Sequence, residues 1–183
     1  MNVGKEGLIL TFYNNEFPEY QHCPFNKILI HFFFKETLVS VVFFKEFGQY
    51  TMRCSFLPKD VDGVIFVYDI TDRESFLFIE DYCVKTKNNY LNKVKGIILG
   101  NKSDLEGSRA VTAVEGDKLS NENGFEFMET SCLKNINVRE SFEKIILSIC
   151  NEKIKEIKER RLIQLKENIE INNGRRCRRG FCA

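Results

Sequence analysis

Gly96-Ile97-Ile98-Leu99-Gly100-Asn101-Lys102-Ser103-Asp104 decides the fold class. The run GIILG reads as a short strand buried on both faces, the kind found in parallel sheets. An Asx-rich turn follows at once, and open α/β sheets bind ligands just beyond the carboxyl ends of their strands. An aspartate at position 104 can accept two hydrogen bonds from one edge of guanine, from its ring N–H and its exocyclic amino group. Adenine offers an acceptor where guanine has a donor. A site built around such a bond discriminates by roughly 10⁴-fold.

Outward from this stretch, residues 64–68 (VIFVY) repeat the wholly apolar character, and residues 125–128 (FEFM) form a weaker strand candidate. Residues 27–34 (KILIHFFF) and 38–44 (LVSVVFF) flank a Lys35-Glu36-Thr37 break and predict a hairpin. Helices fit between the strands. Residues 73–90 carry apolar side chains at 76, 79, 83 and 84, on one helical face. Thr112 with Glu115 is a capping-box pattern, and Asn137 with Glu140 repeats it. Beyond Cys150 the sequence becomes Lys/Glu/Ile-rich to about Ile171, as in a solvated helical extension that Gly174 ends. Strands alternating with helices predict an α/β fold with a mostly parallel sheet.

The 183 residues predict one domain, and 43% apolar with 29% charged side chains is an ordinary globular balance. A chain of this length buries about 70% of its unfolded surface without disulfide or metal staples. No run reaches the ~18 apolar residues of a membrane span, and the N-terminus does not resemble a secretory signal. Seven cysteines, at 23, 54, 83, 132, 150, 177 and 182, form no CxxC pair, which argues against zinc and for reduced, intracellular thiols. The net charge of +1 is uneven: residues 171–183 hold four arginines and no acid, leaving 23 basic against 26 acidic side chains elsewhere. A basic tail suits an acidic surface.

Glu129-Thr130-Ser131-Cys132 follows the FEFM strand, and Tyr68-Asp69-Ile70-Thr71-Asp72-Arg73-Glu74-Ser75-Phe76 follows VIFVY. Together with NKSD, in this order, they resemble a small GTPase of the Ras superfamily, most of all the Rab family, over residues 3–150. The resemblance implies a P-loop NTPase-type fold, six mostly parallel strands with helices on both faces. The first of those strands is missing here, and loss of an interior strand exposes two inner edges. The expectation is an N-terminally truncated or diverged family member. It further implies GTP/GDP as ligand, with Asn101 and Asp104 on guanine and the Lys102 stem over the ring. Ser131 and Cys132 match the family's Ser-Ala, where a backbone N–H meets the guanine oxygen. Leu133 replaces a stacking lysine, which Lys134 replaces only if the loop shifts.

The phosphate half departs from the pattern. A phosphate loop reads G-x-x-x-x-G-K-[ST], its amides cradling phosphate and its hydroxyl on Mg²⁺. Val3-Gly4-Lys5 match its end, residues 8–13 would be the following helix, and Glu6 stands where the hydroxyl belongs, as the candidate metal ligand. Gly48 and Gln49 match the family's Gly-Gln, Gln49 being the residue that orients water. Lys45 replaces the aspartate that holds Mg²⁺ through water, and Cys23 falls at the first switch's threonine. Two unit charges ~4 Å apart interact by roughly 4 kcal/mol at an effective dielectric of 20. Glu6 and Lys45 therefore predict weak Mg²⁺ binding and slow or absent GTP hydrolysis.

The tail Arg175-Arg176-Cys177-Arg178-Arg179-Gly180-Phe181-Cys182-Ala183 is not a C-a-a-X box. Cys182, then Cys177, are the lipidation candidates, with the arginines as a second membrane signal. The predicted organisation is a GTPase domain over 1–150, a helical extension over 151–171 and a membrane-targeting tail over 172–183. The expected partners are a guanine nucleotide, a membrane surface, and Rab-type effectors, exchange factor and GAP, with no nucleic acid. The expected location is the cytoplasmic face of intracellular membranes, with a cytosolic pool. The implied role is a switch in vesicle traffic; the alternative is a pseudo-GTPase binding module.

Overall fold

The structure, a computed structural model, describes residues 3–17, 27–34, 37–44, 61–86 and 94–178. It divides into two compact units, Met1–Ile145 and Ile146–Ala183. The elements run α1 (Lys5–Asn14), β1 (Lys27–Phe34), β2 (Thr37–Phe44), β3 (Gly63–Asp69), α2 (Arg73–Thr86), β4 (Lys95–Asn101), a 3₁₀ segment (Ser103–Ser108), α3 (Ala113–Asn123), β5 (Glu126–Glu129) and α4 (Val138–Arg178).

Three strands form a parallel sheet in the order β3-β4-β5, and β1 with β2 forms a separate antiparallel pair. The hairpin matches the expectation, with Thr37 inside the second strand opposite Phe34. In the parallel sheet Asp69 lies opposite Asn101, and Gly100 opposite Glu129. The three carboxyl ends are therefore level, and the loops that leave them share one edge.

The apolar run of β4 explains its central place. Ile97, Ile98 and Leu99 are all fully buried, so both faces of the strand are covered. Burying each such side chain stabilises by roughly 1.5–3 kcal/mol. On one face Ile98 joins Tyr68, Phe76, Ile79, Cys83, Leu119 and Phe125 in the core, as α2 packs on β3 and α3 on β4 and β5. Phe12 of α1 stacks on Phe142 at the start of α4, ring centroids 4.6 Å apart. α3 lies close to the sheet because Gly116 has no side chain. A Cβ there would strike the Phe127 ring and the Tyr68 hydroxyl.

Thr112 caps α3 as predicted: Glu115 N–H donates to its hydroxyl at 3.3 Å, and its own N–H donates to Glu115 Oε2 at 2.9 Å. Asn137 does not repeat this. It stands at φ 55, away from the extended backbone of a capping residue. Its amide donates instead to Glu129 O at 2.9 Å. Helix α1 begins at Lys5, earlier than its apolar residues suggest. The predicted helix over residues 73–90 runs to Thr86, and residues 87–90 lie outside the described ones.

The second unit is the long remainder of α4, with an exposed Glu156–Arg160 pair one turn apart at 3.8 Å. Gly174 does not end the helix, which continues to Arg178. A glycine inside a helix costs about 1 kcal/mol relative to alanine, which weakens a helix without stopping it. Among the described residues no helix is long and apolar enough to cross a membrane.

Candidate nucleotide-binding site

The level strand ends bring four segments together: 69–71 after β3, 101–104 after β4, 130–132 after β5, and Val3-Gly4 ahead of α1. Asn101 joins them. Its side chain is 1% exposed. Its amide nitrogen donates to Val3 O at 2.9 Å, and its oxygen accepts from the Thr130 hydroxyl at 3.2 Å and the Cys132 thiol at 3.5 Å. All of these bonds go to protein groups, so Asn101 holds the loops in place. Gly4 sits against the same amide at φ 86, and a Cβ there would collide with Asn101 Nδ2. Glycine is required here for both backbone angle and space.

Lys102 also has a left-handed backbone, at φ 66, which costs an L-residue roughly 1–2 kcal/mol. Bonds on both sides hold it there. Ser103 N–H donates to Thr130 O at 3.0 Å, and Lys102 Nζ reaches Asp69 Oδ2 at 2.5 Å. Asp69 Oδ1 accepts from the Thr71 N–H at 2.9 Å and the Thr71 hydroxyl at 2.7 Å. Burial works against the Asp69 charge, but the bonds from Lys102 and Thr71 overcome it and hold the carboxyl below its ordinary range. The tether is thus intact at neutral pH. It weakens only as pH falls below the ordinary aspartate value, because only the charged carboxylate makes it.

Asp104 follows on the 3₁₀ segment. One of its oxygens accepts the Ser131 hydroxyl proton at 2.5 Å, and Ser131 Oγ in turn accepts Lys134 N–H at 3.1 Å. Ser131 pairs with Ile136 as an isolated antiparallel bridge, so residues 132–135 form a tight turn. Leu133 on that turn is 63% exposed. Lys5 and Glu6 form the first turn of α1.

Asn101, Lys102, Asp104, Ser131, Cys132 and Gly4 are therefore gathered at one edge of the sheet. Gly48, Gln49, Lys45, Cys23 and Cys182 lie outside the described residues, and Cys177 falls in the last turn of α4. Two residues went unassigned in the sequence: Asp69, which anchors Lys102, and Thr130, which bonds both Asn101 and Ser103. The YD ending of β3 was visible, but its alignment with Asn101 required the strand register.

Cys132 is buried, and that burial pushes its thiol up to about 11. At pH 8 it is almost entirely protonated and shielded. Alkylation by iodoacetamide at pH 8 is expected to spare Cys132 in the native chain and to modify it rapidly in urea. Native modification at the rate of a free thiol, read by peptide mass spectrometry, would contradict the packed position.

A parallel sheet flanked by helices, with an NKSD turn and a TSC turn converging at its carboxyl edge, defines a P-loop GTPase-type α/β protein. The Ras family model matches residues 1–151, and the chain belongs to that family. It is Rab-like. Over 90 residues it is 40% identical to Ras-related protein Rab-3C of Mus musculus, covering 49% of this chain and 40% of the relative. It is 39% identical over 90 residues to GTP-binding protein Rab-3D of Rattus norvegicus and to Ras-related protein Rab-3 of Caenorhabditis elegans, covering 49% of this chain and 41% of each. The chain thus spans about two fifths of the length of these curated relatives.

Proposed function

We propose that this chain is a Rab-like guanine-nucleotide-binding protein of vesicle traffic, selective for GTP and GDP. The observation that carries this is the Asp104 carboxylate beside the Ser131-Cys132 turn, with Asn101 tying that turn to Val3-Gly4. Asp104 takes the ring N–H and amino group of guanine, the backbone at Cys132 donates to the guanine oxygen, and the Lys102 stem lies along the ring. Gly4 and Lys5 serve the phosphates.

Mg²⁺ takes oxygen ligands in near-octahedral array. Of the three positions that matter in the family, this chain puts an oxygen only at Glu6, while Cys23 and Lys45 supply none. This donor set does not fit Mg²⁺ as the family holds it. Glu6 and Lys45 favour the second reading, a pseudo-GTPase that keeps its nucleotide and cycles slowly or not at all, Gln49 notwithstanding. The tail arginines, with lipidation at Cys182 or Cys177, attach it to the cytoplasmic face of a vesicle membrane, where Rab-type effectors and regulators meet it.

Calorimetry of the purified chain with GDP, GTP and ATP, with and without Mg²⁺, tests this. Guanine nucleotides are expected to bind and ATP not, with little change on adding EDTA. Binding that collapses in EDTA would restore the metal-dependent switch. Equal binding of ATP and GTP would remove the guanine assignment.

A further inference from the structure

Arg109 lies just past the 3₁₀ segment that carries Asp104. A guanidinium has five N–H donors, and here each finds an acceptor. Nε and Nη2 donate to Glu106 Oε1 and Oε2 at 2.8 and 2.6 Å. Nη1 and Nη2 donate to Glu129 Oε1 and Oε2 at 2.6 and 3.0 Å. The remaining Nη1 hydrogen reaches Val111 O at 2.9 Å. The side chains of Arg109 and Glu129 are 17% and 21% exposed, while Glu106 is largely in solvent.

Glu106 follows Asp104 on the 3₁₀ segment, and Glu129 ends β5 just ahead of Thr130-Ser131. The two forks therefore bracket the same two loops that meet in the Asp104–Ser131 hydrogen bond. Bidentate forks fix direction as well as distance. Asp104 has no bond of its own to Arg109, so any influence passes through the backbone between them.

We propose that Arg109 is a positioning residue for base selectivity. Its forks to Glu106 and Glu129 set where the Asp104 carboxylate stands relative to the Ser131-Cys132 turn, and hence how well it meets two donors on a purine. This rests on the guanine-site assignment above. An arginine that served stability alone would, when lost, weaken all nucleotides alike. A positioning arginine alters the ratio between guanosine and inosine diphosphates, because inosine lacks the exocyclic amino group.

The test is competition of GDP, IDP and ADP against a fluorescent GDP, using the full chain and the variants Arg109→Ala, Arg109→Lys and Glu106→Gln. The unsubstituted chain is expected to prefer GDP to IDP by ~10-fold, about one charge-assisted hydrogen bond. Arg109→Ala is expected to reduce that ratio about threefold or more. Arg109→Lys should not rescue it, since an ammonium cannot make both forks. Glu106→Gln, altering one fork at an exposed position, should move the ratio the same way by less. If Arg109→Ala does not fold, the other two variants decide. Unchanged GDP-to-IDP ratios in folded variants, against a selective parent, overturn the role of Arg109 alone. A parent chain that fails to distinguish GDP from ADP defeats the guanine-site assignment instead.

Discussion

Asn101→Ala is expected to lower the folding free energy by about 3–5 kcal/mol, read as a fall in the urea midpoint at unchanged slope. The residue is 1% exposed and bonds the Val3 carbonyl, the Thr130 hydroxyl and the Cys132 thiol. Alanine leaves these groups facing a dry space. Each buried unsatisfied group costs about 1–3 kcal/mol, with a cavity penalty added. Domains of this size hold about 5–15 kcal/mol in all, so the loss is a large share. Asn101→Asp preserves the shape and the acceptor oxygens but replaces the donor to Val3 with a buried negative charge beside a carbonyl. It is expected to be no better than alanine. A loss under about 1 kcal/mol for both would mean that the Val3-Gly4 segment is not held by this amide.

With Asp104 on guanine as proposed, Asp104→Ala is expected to weaken GDP binding by ~100-fold or more, since two charge-assisted hydrogen bonds would be lost at about 1.5–3 kcal/mol each. Asp104→Asn is the sharper variant. Its amide presents one acceptor and one donor edge where the carboxylate presents only acceptors. Guanine's amino group then meets an N–H. Xanthine, with a carbonyl at that place, is matched instead. Xanthosine diphosphate should therefore overtake GDP in competition, while thermal stability changes little, because Asp104 is only partly buried. Its one protein partner described is the Ser131 hydroxyl, which an amide oxygen can still accept from. Retained GDP preference in Asp104→Asn would move base recognition to another residue.

Much of the fold was legible because its signals are local. The apolar runs at 64–68 and 96–100 became β3 and β4 with an extra residue at each end. Both strands lie where period and composition leave few alternatives. The Thr112–Glu115 box formed because its residues are three apart and need only each other. The same spacing misled at Asn137, where a distant carbonyl, Glu129 O, claims the amide. Gly174 misled for a different reason. Glycine shifts a helix equilibrium by about 1 kcal/mol, too little to fix an end by itself.

The sequence by itself determined that the chain is α/β and that NKSD and TSC stand beyond parallel strands. Residue type and spacing along the chain are sufficient for those conclusions. Tertiary structure alone decided which side chains meet: Asn101 with Val3, Lys102 with Asp69, Arg109 with both Glu106 and Glu129. The physical reason is that strand register and helix packing set these long-range contacts. Aligning Asp69 with Asn101 and Gly100 with Glu129 places loops far apart in sequence within hydrogen-bond reach, and such contacts leave no periodic trace in the chain.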